Sequence, residues 1–216
     1  MRDHPPERGI LFVMTGASGV GKGSLRAAAA DALDDVTYSV SATTRPRRAG
    51  EVDGVDYHFH SRADFEHLIA SGGLLEYATY VGDHYGTPAA PVDEALAAGR
   101  DVLLEIELAG ARQVKSRRPD AVMIFIVPPS MAELERRLRG RGTDDDAKIA
   151  RRLERARDEI RAVREFDYAI VNDDLARAAD VFRAVLLAER ARARRVTDTM
   201  LAVFLGDEHA APARLW

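Results

Sequence analysis

Between the apolar run Ile10 to Met14 (ILFVM) and an alanine-rich stretch that starts at Lys22 lies TGASGVGKGSL, residues Thr15 to Leu25. An apolar strand, a glycine loop and a helix in that order constrain the chain more than any other feature. Glycines let backbone N–H groups turn inward toward phosphate oxygens, and the following helix adds the partial positive charge of its N-terminus. The spacing Gly16-x4-Gly21-Lys22 puts a lysine within reach of the β- and γ-phosphates of a nucleotide. With Gly and Lys each at ~7% of residues, chance produces this spacing in roughly one chain in twenty of this length. Its position between strand and helix is therefore what carries the assignment. The loop comprises Gly16, Ala17, Ser18, Gly19, Val20, Gly21, Lys22, Gly23 and Ser24. Gly23 stands where such loops usually carry Ser or Thr, so a magnesium-side hydroxyl has to come from Ser24 or from water.

The remaining chain repeats the alternation of short apolar runs and longer helical patterns. Val36 to Val40, Val102 to Ile106, Val122 to Val127 and Tyr168 to Val171 read as further core strands, and Lys22 to Leu33, Met131 to Arg139, Ala147 to Arg164 and Leu175 to Arg195 as helices. This predicts an α/β fold of the P-loop NTPase type, with a largely parallel sheet flanked by helices. Residues 41–87 break the rhythm with Gly, Asp, Tyr and alternating segments such as YHFH, and read as an inserted small mixed or antiparallel lobe. RGRGTDDD, Arg139 to Asp146, reads as part of a helical lid over about residues 139–152. Residues 9–195 are expected to form one domain, and the tail 196–216 receives no function.

At 216 residues, 46% hydrophobic and 31% charged, the chain can bury a sizeable core. A net charge of -4 provides no general basic field for nucleic acid. The absence of cysteine excludes disulfides and thiolate chemistry. MRDHPPERG has no apolar signal core and no run approaches the roughly 20 residues of a membrane span, so a cytoplasmic location without membrane association is expected. His58 and His60 lie two apart without a third ligand, a poor metal site.

A second anion site is suggested by SATTRPRRAGEVDGVDYHF, Ser41 to Phe59, where Arg45, Arg47 and Arg48 precede Glu51, Asp53 and Asp56. Thr43, Thr44, Arg45, Arg48, Glu51, Gly54, Tyr57 and Phe59 reproduce the spacing of the guanylate kinase signature, and Gly16 to Ser24 resembles that family's P-loop. The likeness continues through LLEYA (74–78), HYGT (84–87), LLEIE (103–107), IFIVPPS (124–130), RGRGT (139–143) and FDYAIVNDDL (166–175), so the chain resembles the family over nearly all of residues 9–190.

That resemblance implies a magnesium-dependent transfer of the γ-phosphoryl group of ATP to GMP, with use of dGMP left open. Arg45, Arg48, Tyr57 and Tyr85 would clamp the acceptor phosphate, for which planar, permanently charged arginine forks are suited. Glu51 would orient an arginine, and Arg47 is a solvated charge. Ser41, Glu76 and Thr87 match base-reading positions, since a carboxylate with hydroxyls reads guanine N1–H and its amino group. Glu105 and Glu107, taken as sharing one strand face, would line the acceptor pocket, with Glu105 also able to hold metal-bound water; each is otherwise an exposed strand-end carboxylate. The family usually has Asp at the position of Glu107. Lys22, Arg45, Arg141 and Arg152 would carry catalysis, with Arg137 a weaker candidate. Asn172 either lines the adenine pocket or caps the final helix with Asp173 and Asp174. Two competing functions are a P-loop kinase for another phosphorylated acceptor, and an inactive guanylate-kinase-like module that binds partners.

Overall fold

The computed structural model describes residues 8–30, 36–140, 142 and 144–206. In chain order its elements are β1 (Leu11–Gly16), α1 (Lys22–Ala30), β2 (Val36–Tyr38), β3 (Ala42–Thr43), β4 (His58–Phe59), α2 (Arg62–Ala70), β5 (Leu74–Tyr80) and β6 (Asp83–Pro88). They continue with α3 (Ala89–Ala97), β7 (Asp101–Glu105), α4 (Leu108–Arg117), β8 (Val122–Val127), α5 (Met131–Gly140), α6 (Asp146–Arg161), β9 (Tyr168–Val171), α7 (Leu175–Arg190) and α8 (Asp198–Phe204).

Strands β2-β7-β1-β8-β9 form a sheet whose pairings are all parallel. Side chains alternate across it. Phe12 and Met14 pack on one face with Leu25 and Ala29 of α1 and Ala178, Phe182 and Leu186 of α7. Leu11 and Val13 pack on the other with Val92 and Leu96 of α3 and Ala111 and Val114 of α4. Covering both faces explains why β1 and β8 read as unbroken apolar runs. Each large side chain removed from water here contributes roughly 1.5–3 kcal/mol.

A second sheet, ordered β4-β3-β6-β5, is mixed: β3 pairs parallel with β4 and antiparallel with β6. Ala42, Phe65 and Leu74 form its core against α2, with Tyr77 packed on it. A third cluster joins Ala17 of the glycine loop to Leu134 and Leu138 of α5 and Ile149, Leu153 and Ala156 of α6.

Several boundaries differ from the sequence reading. Helices α2, α3 and α4 were not anticipated. The helix expected over Ala147 to Arg164 leaves α geometry at Arg161 for a 3-10 turn over Ala162–Glu165, and the one expected to reach Arg195 ends at Arg190. The far end of the helix predicted to Leu33 lies outside the described residues. Within the tail, Thr197 caps α8 by accepting from the Met200 N–H, and Met200 is buried; residues 207–216, Trp216 included, lie outside the described residues.

The β5–β6 turn contains a local conflict. Val81 and Gly82 both adopt left-handed φ, 50° and 87°. That suits Asn-Gly in a two-residue hairpin but crowds a β-branched side chain. Val81 is 84% exposed and gains no packing in return. Val81→Asn is expected to stabilise the fold by about 1 kcal/mol, read as a higher midpoint in urea unfolding; an unchanged midpoint would show that the turn carries no strain.

Candidate active site

The loop after β1 is wedged into its surroundings. Gly19 and Gly21 have φ of 91° and 94°. A Cβ on Gly19 would lie 2.6 Å from Leu138 Cδ2, and one on Gly21 would lie 2.6 Å from Asn172 Nδ2. Backbone conformation and space therefore both demand glycine. Lys22 opens α1 and folds back, its Nζ donating to the Gly16 carbonyl at 2.7 Å. Ser24, in the first turn of α1, is exposed, as is Gly23.

Behind the loop, Asn172 Nδ2 donates to the Val20 carbonyl at 2.8 Å. Arg137 donates to the carbonyls of Val20 and Asn172 at 3.2 and 2.9 Å. The helix-capping reading of Asn172 is corrected: Asp174 caps α7, accepting from the Arg177 N–H at 2.9 Å. Arg152 of α6 donates to Ser18 Oγ at 2.6 Å and to the Asp144 carboxylate. Hydrogen bonds from Lys148, and then from Arg152, hold the Asp144 carboxyl below its ordinary range. Lid and loop are thus joined on the side of Ala17 and Ser18. Arg141 lies outside the described residues.

In the second sheet, Thr43 Oγ1 donates to the His84 carbonyl at 3.0 Å and accepts from the Arg45 N–H at 3.1 Å. That fixes the start of the arginine segment on β6. Arg45 then donates in a fork to both oxygens of Glu51, at 3.1 and 2.7 Å, and lies over the Tyr57 and Phe59 rings at 5.4 and 5.8 Å. Glu51 also accepts from the Arg48 N–H at 2.7 Å. These bonds, the one from Arg45 foremost, lower the Glu51 pKa. The other acids of the run close the loop: Asp56 accepts from the Val52 N–H at 2.7 Å and Asp53 from the Phe59 N–H at 2.9 Å. Tyr57 and Tyr85 meet edge to face, 6.2 Å between centroids. The Arg48 and Arg47 residues are exposed.

Glu76 lies opposite Thr87 in the β5–β6 ladder. It is 7% exposed and accepts from Thr87 Oγ1 at 2.7 Å. Burial raises its pKa, with the Glu107 charge adding to the effect. A carboxylate removed from water with a neutral hydroxyl as partner is a strong acceptor for further N–H donors.

The expectation that Glu105 and Glu107 share a strand face is corrected. β7 ends at Glu105, and Glu107 is the N-cap residue of α4, so the period of two stops between them. Glu105 turns toward α1, pairing with Arg26 Nε at 3.2 Å. Glu107 turns toward α6, accepting from Arg155 at 2.7 Å. Arg26 was not singled out in the sequence; its place four residues after Lys22 on α1 is the signal by which it could have been found. It also stacks over Tyr38, 5.1 Å from the centroid. A cleft of about 170 Å³ brings Arg26, Ser41, Thr87 and Glu105 together between the two sheets. Val127, Ser130, Met131 and Arg157 line a separate groove of about 390 Å³ that includes none of the loop or second-sheet residues.

Numbered along the main sheet alone, the strand order is 2-3-1-4-5, with the glycine loop at the carboxyl end of the central strand, where open α/β sheets bind ligands. This sheet, its lysine-bearing loop and the arginine helices resting on that loop define a P-loop kinase. Residues 8–189 match the family profile described as guanylate kinase. Guanylate kinases of Streptococcus pyogenes serotypes M3 and M18 are 54% identical over 191 residues, covering 88% of this chain and 90% of theirs. The crystal structure of guanylate kinase from Anaplasma phagocytophilum superposes with a TM-score of 0.69 at 31% identity, over 92% of this chain and 96% of that one. The chain belongs to the guanylate kinase family. Among the described residues no helix is long and apolar enough to cross a membrane.

The buried carboxylate has a signature in stability. A carboxyl whose folded pKa exceeds its unfolded value destabilises the fold above the folded pKa, and the penalty vanishes below the unfolded one, about 4.3 for Glu. Glu76→Gln in nucleotide-free protein is therefore expected to unfold at a higher temperature at pH 7.5, with the gain shrinking toward pH 4. Thermal unfolding across that range checks it; a gain independent of pH would remove the titration of Glu76 as its cause.

Proposed function

We propose that the chain transfers the γ-phosphoryl group of ATP to GMP, giving ADP and GDP, with residues 16–24 receiving the donor and the second sheet receiving the acceptor. The observation that carries the reading is Glu76: a buried carboxylate set beside the Thr87 hydroxyl suits the guanine edge, whose N1–H and amino group are adjacent donors. Ser41 lines the same cleft as Thr87.

On this reading Arg45, Arg48, Tyr57 and Tyr85 hold the acceptor phosphate, with Arg45 already planted by Glu51. Lys22 takes the β/γ-phosphates. Arg152 and Arg141 meet the charge of the migrating group. Arg137 and Asn172 brace the donor loop at Val20. Transfer needs no general base, because the attacking oxygen already belongs to a phosphate dianion; alignment and charge neutralisation suffice. The P–O bond to the β-phosphate breaks as the bond to the acceptor oxygen forms, and the leaving electrons stay on ADP.

Mg²⁺ accompanies ATP. Among the described residues no group of three or more acidic or histidine side chains could hold a metal ion by itself. A magnesium ion that arrives with a nucleotide is held chiefly by phosphates and water. Ser24 and Glu105 are the side chains that would meet it, and a Cβ on Gly23 would stand 4.0 Å from Glu105 Oε1. When bound, the ion neutralises charge on the β- and γ-phosphates. A cytoplasmic location completes the proposal. Nothing in the site favours an inactive interaction module or a different acceptor.

Lys22→Met is expected to reduce turnover by at least a hundredfold with the fold retained, because it removes a point charge from the transferring group. A coupled ADP-release assay checks this. Glu76→Gln is expected to cost about 2 kcal/mol in kcat/KM for GMP, roughly thirtyfold, with the KM for ATP little changed and selectivity over AMP reduced. An intact GMP-to-AMP ratio would mean that guanine is read elsewhere.

A further inference from the structure

Gly110 lies in the first turn of α4 and is buried. It is absent from the residues with positive φ, so the backbone does not require glycine there. Space does. A Cβ on Gly110 would stand 2.6 Å from Glu76 Oε2, 3.1 Å from Cδ and 3.3 Å from Cγ. The helix thus carries a poor helix former at the one place where the Glu76 carboxylate passes against it.

Two further residues of the same helix hold the strand that bears Glu76. The Gln113 side chain accepts from the Tyr77 N–H at 3.2 Å and donates through Nε2 to the Tyr77 carbonyl at 3.0 Å. It acts as an added strand residue on β5, which is the edge of its sheet. Arg117 donates to the Leu74 carbonyl. Positions 110, 113 and 117 follow the three-and-four spacing of one helix face. Along β5 the register shifts between Leu74 and Glu76. Leu74 and Tyr77 pack in the small-sheet core, whereas Leu75 packs in the core that includes α4 and Glu76 passes against Gly110 of that helix, so residues 75 and 76 share a side that strict alternation would deny them. Such a bulge re-aims the side chains that follow it.

We propose that the α4 face formed by Gly110, Gln113 and Arg117 is a positioning surface for guanine selection, fixing the Glu76 carboxylate against the acceptor base. The proposal rests on Glu76 as the base reader. Adding a methyl at Gly110 is relieved most cheaply by displacing the Glu76 side chain, to which the three nearest atoms all belong, rather than by moving backbone. Base reading should therefore suffer while folding does not.

The test uses the full chain with steady-state kinetics for GMP, AMP and ATP, together with thermal unfolding. Gly110→Ala is expected to raise the KM for GMP at least tenfold, keep kcat and the KM for ATP within about threefold, and leave the unfolding midpoint equal or higher. Gln113→Leu, which keeps the volume but releases Tyr77, is expected to raise the KM for GMP about threefold or more. In the Glu76→Gln background, Gly110→Ala should change kcat/KM for GMP by less than about threefold, because no carboxylate remains to be misplaced. An unchanged KM for GMP in both single variants overturns the proposal. So does a lowered unfolding midpoint for Gly110→Ala, or an equal loss in the Glu76→Gln background, since each marks a merely structural role. If Glu76→Gln alone leaves the GMP-to-AMP ratio intact, the base-reader assignment fails and the proposal falls with it. A ratio that collapses for Glu76→Gln while both α4 variants behave as wild type removes the α4 role alone.

Discussion

The glycine loop has no room for side chains where three other elements touch it, and the placement of charge in the molecule follows from that. A Cβ at Gly16 would lie 2.3 Å from the Ile126 carbonyl of β8, one at Gly19 would meet Leu138 of α5, and one at Gly21 would meet Asn172 just after β9. Close-packed interiors transmit displacement instead of absorbing it. The loop is consequently in register with the sheet on one side and with α5 and α6 on the other, where Ala17 shares a core with Leu134, Leu138 and Ile149. Backbone donors aimed at a triphosphate help only if they are already aimed before it arrives. Here they are held by apolar packing and by the Asn172 and Arg137 bonds to Val20.

The arginines face the opposite difficulty, since long side chains lose substantial rotamer entropy when fixed, ~2 kcal/mol for Arg. Arg45 and Arg152 each rest on an acid, Glu51 and Asp144. Ion pairs of this kind near the surface stabilise a protein by only about 0–1 kcal/mol, so their value lies in position. Ordering occurs on folding, and a guanidinium, which stays charged at any working pH, can accept an anion without first being arranged. The acids in SATTRPRRAGEVDGVDYHF answer what its sequence leaves open: Glu51 holds an arginine, while Asp53 and Asp56 close backbone turns and touch no cation there.

Strands buried on both faces were legible because apolar residues dominate them, and β8 coincides with the run Val122–Val127; β9 coincides with Tyr168–Val171 although it is an edge strand with Ala169 and Val171 exposed. The P-loop was legible for a related reason, since Gly16, Gly19 and Gly21 are demanded by contact and conformation together. The helices α2 to α4 were hidden. LAGARQVKSR has a glycine in its first turn and a weak apolar stripe, and AAPVDEALA has Pro91 near its start. Glu107 was misplaced because a period of two says nothing about where a strand stops, and the chain leaves the sheet at Ile106 to start α4. Glu76 was named only through resemblance. Nothing local in LLEYATY announces a bulge, and it is the bulge that leaves Leu75 and the following Glu76 both toward α4 while Leu74 and Tyr77 pack in the small-sheet core.

Placed so, Glu76 stands in a part of the site built differently from the rest. Charge attraction falls off only as the inverse of distance, so a phosphate tolerates small shifts of the arginines and loops around it. A base edge is read by hydrogen bonds that weaken steeply with angle. Discrimination by a buried acceptor also depends on that acceptor finding no substitute partner when the wrong base enters. On the proposed reading Glu76 meets this demand, since its strand is gripped from both sides, by β6 through the Thr87 pairing and by α4 through Gln113 and Arg117. The proposed phosphate-handling residues Lys22, Arg45 and Arg48 stand at a helix start and on a loop, whereas the proposed base reader, Glu76, stands where the small sheet and the main core share a strand.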